Sequence, residues 1–214
     1  PLGDGMGSAV ELQGEFDRTA LPGVIRYAVI LGAIEALVVV LMAIITRLTG
    51  GIVEAVIGGL VLIAALAVVA FFPGTWTRAR TIEGIAGAAG IGLAATAVFL
   101  LFDVAILQPV GVYTNRWLEI GGGSNWWYHP VWWMVGTFIP WMGALMLAAR
   151  VRRGQPQSIV QPMLLAVALS VVFAIAAIVI HVPHAGWSLG TFGVAFLPGI
   201  AAGAAITSWR AARA

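Results

Sequence analysis

The sequence predicts an all-α polytopic membrane protein, a bundle of six transmembrane helices with both termini cytoplasmic. Three observations carry that prediction. Of the 214 residues, 61% are hydrophobic and 9% are charged, against roughly 25% charged in an ordinary soluble domain. Six apolar runs are each about as long as the 20 residues that a helix needs to cross the hydrocarbon core. All 11 basic residues are Arg, and nine of them fall in segments that alternate topology places on one side. Short cytoplasmic loops retain positive charge, so that side is the cytoplasm.

The elements follow in chain order. Residues 1–23, with Asp4, Glu11, Glu15, Asp17 and Arg18 among glycines, form a cytoplasmic tail. Its charged lead is too long and acidic for the n-region of a signal peptide. The six-helix domain, 24–209, has spans at about 24–46, 52–72, 83–107, 130–149, 158–180 and 188–208, rich in Ala, Val, Ile and Leu. None shows the period-2 alternation of a barrel strand. The third span carries Gly84, Gly87, Ala88, Gly90 and Gly92, and the sixth carries Gly199, Ala202 and Gly203. Small residues at this spacing let backbones approach, so both helices are expected inside the bundle. An external loop, 109–129, separates spans three and four and ends in Trp126, Trp127, Tyr128 and His129. Pro130 suits the first turn of span four, and Pro140 and Pro198 are expected to kink their helices. Only the short Arg150–Gln157 link joins spans four and five, which predicts an antiparallel pair. Residues 210–214 return to the cytoplasm.

Placing the N-terminus inside puts Arg18, Arg26, Arg78, Arg80, Arg150, Arg152, Arg153, Arg210 and Arg213 on the cytoplasmic side and leaves Arg47 and Arg116 outside. The expected location is the cell inner (plasma) membrane, and the first expected partner is the lipid bilayer. Other membrane subunits or further copies of the chain are the protein partners such a bundle admits. The Arg residues are too scattered for a nucleic-acid footprint, so no nucleic acid is expected.

Chemistry is sought among polar groups that the bilayer makes expensive. Glu35 lies nine residues past Arg26, roughly 14 Å along the helix and near the membrane centre. Asp103 stands near the outer end of span three, and Glu54 enters span two just below the outer surface. A carboxylate in low dielectric without a basic partner must be protonated, hydrated or bound to a cation. Glu35, Asp103 and Glu54 are therefore the candidate proton or ion path, with Thr96, Thr137 and Ser170 at central depths to extend its hydrogen bonding. For Glu54 an interfacial ion pair with Arg47 is the plainer alternative.

The three histidines, His129, His181 and His184, all fall at external span ends. They are the candidate metal ligands, with Asp103 or Glu119 completing a set suited to copper, zinc or iron, or two of them ligating haem. Pro183, between His181 and His184, works against their sharing one helix face. With no Cys in the sequence, iron–sulfur clusters and thiolate sites are excluded; copper or haem is the cofactor that remains open. Trp126, Trp127 and Tyr128 are the candidate external pocket. The segment Trp126–Trp133 is similar over a handful of residues to the aromatic-His-Pro segments of haem-copper oxidases. The chain has half the spans that fold needs and lacks its other His ligands, so no family follows. Gly121–Ser124 lacks the strand–turn–helix setting of a serine elbow, and no catalytic residue is nominated.

Three classes of function are compatible with these features. The first is a small permease or transport subunit that uses intramembrane carboxylates for a proton or cation. The second is a membrane-embedded subunit of a respiratory, photosynthetic or metal-dependent oxidoreductase with an external His/carboxylate site. The third is a noncatalytic assembly subunit of such a complex.

Overall fold

The computed structural model describes residues 18–113 and 128–213, with the backbone alone for 128–130. It is all-helical, and six helices are long and apolar enough to cross a membrane. No strand occurs among the described residues. The helices are α1 (Leu21–Leu48), α2 (Gly51–Trp76), α3 (Ile82–Phe102), α4 (Tyr128–Arg152), α5 (Val160–Val179) and α6 (Leu189–Ala212). A π-helical segment, Asp103–Leu107, continues α3.

Local chemistry sets the ends of these helices. Pro22 lies in the first turn of α1, where its missing N–H costs nothing. Thr49 closes α1 by donating its backbone N–H and its hydroxyl to the Ile45 carbonyl, at 2.9 and 2.7 Å. Gly51, at φ +60°, then reverses the chain directly into α2. Thr81 caps α3, its hydroxyl oxygen accepting from Glu83 N–H, and Ser188 caps α6 by accepting from Thr191 N–H. The helix of span two runs past Pro73 to Trp76, further than its apolar run. The hydroxyl of Thr75 bonds the Phe72 carbonyl at 2.8 Å, and Tyr27 of α1 stacks on Trp76 with ring centroids 4.8 Å apart. That final turn is held from both sides.

Helix α4 is the most enclosed element, with half of its apolar window buried, whereas α2 has 17% and α5 has 22%. It packs against α2, α3 and α6, and α3 is sandwiched between α1 and α4. Glycine makes these crossings close. A Cβ on Gly143 would stand 1.8 Å from the Ala70 carbonyl oxygen of α2, and one on Gly92 would stand 2.2 Å from the Gly136 carbonyl oxygen of α4. Pro140, inside α4, offers no N–H to that same Gly136 carbonyl. The carbonyl thus freed lies against the bare Gly92 backbone, where a weak Cα–H contact is available to it.

Two packing expectations change. Helices α4 and α5 scarcely touch, and α5 leans almost wholly on α6. Gly199 meets Ser170 there so closely that a Cβ would lie 2.3 Å from its hydroxyl. A short link determines direction but not which faces meet; the small-residue face of α6 takes α5. Helix α3 is interior as expected, but α6 is a flank shared by α4 and α5, and the centre belongs to α4.

The N-terminal approach, the α2–α3 link and the α4–α5 link meet at one end. Arg18 N–H donates to the Thr77 carbonyl at 2.7 Å, and Gln157 Nε2 donates to the Ala79 carbonyl at 3.2 Å. Arg18, Arg78, Arg80, Arg150, Arg152 and Arg153 therefore share this arginine-rich end. At the far end, Arg47 spans from α1 to the segment that follows α3.

Candidate functional site

The densest polar arrangement at the far end grows from the way α3 finishes. Pro109 has no N–H for the Ala105 carbonyl, and its ring needs room in the preceding turn. The ladder widens there: Gln108 N–H bonds the Asp103 carbonyl and Val112 N–H bonds the Leu107 carbonyl, each reaching back five residues. Such π segments often mark functional sites. This one begins with Asp103, whose side chain is fully buried.

The Asp103 carboxylate accepts from Gln108 Nε2 at 2.6 Å through Oδ2 and from the Tyr113 hydroxyl through Oδ1. Gly111, at φ +66°, turns the chain so that Tyr113 comes back over the carboxylate. Arg47 Nη2 then donates to the carbonyls of Gly111 and Val112, at 2.6 and 2.9 Å, and clamps that turn to α1. The surroundings are apolar. Ala36 and Val39 of α1 pack with Phe99, Leu100 and Leu107, and Val112, Tyr113 and Trp132 close over them. Trp132 of α4 lies on Phe99 with ring centroids 5.0 Å apart.

Glu35 is half-buried and falls on the stripe of α1 that contains Ala28, Leu31, Gly32, Ala36, Val39 and Ala43, the buried residues of that helix. It makes no hydrogen bond or ion pair with any described residue. A Cβ on Gly32 would touch the Ala95 carbonyl oxygen and the Val98 side chain, which puts Glu35 near the level of Val98. Asp103 is five residues further toward the far end, about 8 Å along the axis. Glu54 is half-buried in the first turn of α2, also at the far end, where the N-terminal dipole of the helix favours a carboxylate. Arg47, its expected alternative partner, has its guanidinium on the Gly111 and Val112 carbonyls.

The hydroxyls expected to extend this path do not gather around it. Thr96, Thr137 and Ser170 each bond the carbonyl four residues back on their own helices. Thr96 faces Gly136 at the α3–α4 crossing, and Ser170 faces Gly199 at the α5–α6 crossing.

Two of the three histidines, His181 and His184, are described with their side chains. Helix α5 ends at Val179, and His181 and His184 follow in an exposed turn with left-handed φ of 57° and 64°. Helical i, i+3 spacing is therefore not formed, and Pro183 between them is consistent with that. His129 is in the first turn of α4, with its side chain outside the description, as is that of Tyr128. Trp126, Trp127 and Glu119 lie outside the described residues. Among the described residues, no three His, Cys, Asp or Glu side chains come together to hold a metal ion.

Gln108, Tyr113 and Arg47 are the site residues that sequence reasoning did not nominate. The available signal was Pro109, which breaks the ladder where Asp103 needs partners. Comparison with family models, curated proteins and solved structures finds no match. The fold defines a multi-pass membrane protein, and its function rests on the site alone.

Proposed function

We propose that this protein is a small permease or transport subunit that moves a proton or small cation by way of Glu35, Asp103 and Glu54. In this reading the arginine-rich end and both termini face the cytoplasm of a cell bounded by an inner (plasma) membrane, as the positive-inside bias argues. The observation that carries the reading is Asp103: a fully buried carboxylate in a π turn, one to two helical turns above Glu35 on the inward stripe of α1. Carboxylates in an apolar setting favour capture of a proton or a cation over standing as free charges. Gln108 and Tyr113 donate to Asp103 and so fix the orientation of its carboxyl group. Rotation of the Tyr113 hydroxyl away from Oδ1 opens an acceptor toward the far end. Glu35, with no partner among the described residues, is the relay at mid-depth.

The test is proton flux into liposomes that enclose a pH-sensitive dye and are driven by a potassium diffusion potential. Wild-type protein should acidify the lumen. Glu35→Gln should abolish the flux while the protein stays monodisperse and helical. Wild-type flux from Glu35→Gln protein would remove the mechanism.

A further inference from the structure

A second arrangement, independent of the transport reading, lies at the arginine-rich end. Arg150, in the last turn of α4, is 7% exposed. Its Nη1 donates to the side-chain oxygen of Gln161, a neutral amide. The Nε atoms of Arg150 and Arg153 are both buried without a hydrogen-bond partner. No carboxylate among the described residues pairs with Arg150. A guanidinium carries five donors and a permanent charge, and a buried cation answered only by a neutral dipole is left short of compensation.

The second observation is the start of α5. Its N-cap, Ile159, supplies no side-chain acceptor, and the backbone N–H groups of Val160 and Gln161 have no acceptor among the described residues. An uncapped helix N-terminus presents free N–H groups and positive potential, the usual receptor for a phosphate. Gln161 belongs to both features. Its oxygen is taken by Arg150, and its side-chain NH2 is the group left to donate. The connecting turn keeps them together: Arg153 N–H and Gln155 N–H both bond the Arg150 carbonyl, at 3.0 and 3.1 Å, with Gly154 at φ +68°.

The geometry points to a phosphate-binding site formed by Arg150, Arg153, Gln161 and the first turn of α5. The phosphate is either the headgroup of an anionic lipid, since helix ends lie at headgroup depth, or a soluble phosphate; the donor set is the same for both.

Thermal unfolding of the purified full chain in a phosphate-free neutral detergent separates the sources. One arm titrates inorganic phosphate against chloride at equal ionic strength. The other titrates phosphatidylglycerol against diacylglycerol, which lacks the phosphate. A saturable rise in Tm in the first arm identifies a soluble anion, and a rise confined to the second identifies a lipid headgroup. Loss of one charge-assisted donor set in Arg150→Gln should weaken the response about tenfold or more. Gln161→Leu should weaken it about fivefold, and Arg152→Gln, the same charge change on an exposed neighbour, less than about twofold. Should Arg150→Gln fail to fold, Gln161→Leu decides, because it leaves every charge in place. Absence of a saturable response in both arms, or a Gln161→Leu response equal to wild type, overturns the site.

Discussion

Among the described residues, each end of the bundle buries one ionisable side chain, and a glutamine meets each of them. At the far end Gln108 turns its NH2 toward the Asp103 carboxylate; at the arginine-rich end Gln161 turns its oxygen toward the Arg150 guanidinium. The amide carries donor and acceptor alike, so the same residue type serves opposite charges. The settings differ in what else is present. Asp103 also receives the Tyr113 hydroxyl, on a turn that Arg47 ties to α1. Arg150 retains a buried Nε without a partner. The lesson is that the far end closes around its charge, whereas the arginine-rich end leaves donors to spare. That asymmetry is why one end is read as a relay and the other as a receptor.

The largest expected effect breaks the scaffold that both ends share. Gly143→Ala pushes a methyl onto the Ala70 backbone carbonyl, which cannot move without shifting α2, and should cost about 3 kcal/mol. Detergent-solubilised variant should show a lower unfolding midpoint and aggregate on size exclusion, with both functions lost together. If it behaves like wild type, the α2–α4 crossing is looser than described.

A selective effect comes next. Asp103→Asn should reduce proton flux about tenfold or more by removing a charge with dedicated donors, yet leave the phosphate response of the opposite end unchanged. Parallel flux and thermal-shift measurements on one preparation read both. Arg47→Gln should act more mildly. Weakening the hold on the two carbonyls costs about 1 to 2 kcal/mol of local stability, visible as faster hydrogen exchange over residues 108–113. Unchanged exchange there would mean that Arg47 does not hold the turn.

The smallest effect is a control. Gly90 faces open space, with nothing within 4 Å of an added Cβ. Gly90→Ala should stabilise α3 by about 0.5 to 1 kcal/mol through lost backbone entropy and spare both ends. A fall in the unfolding midpoint would show that the small-residue stripe of α3 is occupied at Gly90 as well.

Much of the frame is legible in the order of residues along the chain. Long apolar runs specify helices because lipid offers backbone groups no other partner, and the clustering of Arg names the end they share. Counting along the first apolar run puts Glu35 near the middle of α1. Its inward direction is less accessible: α1 is apolar almost all round, so hydropathy does not distinguish the lipid face from the protein face. Its stripe appears only once α3 and α2 are packed on it. His181 and His184 do not share a helix face for a local reason, since both adopt left-handed conformations after α5 has ended.

What the sequence determined by itself was the number of helices long and apolar enough to span and their order along the chain, because these depend on length and on transfer from water to lipid. Tertiary structure decided which charges have partners. The seating of α5 on α6 rather than on α4 depends on how closely Gly199 lets Ser170 approach, and the enclosure of Asp103 beneath Trp132 and the meeting of Arg150 with Gln161 depend on which helices are brought side by side. That is a property of paired surfaces, and no single run of residues contains it.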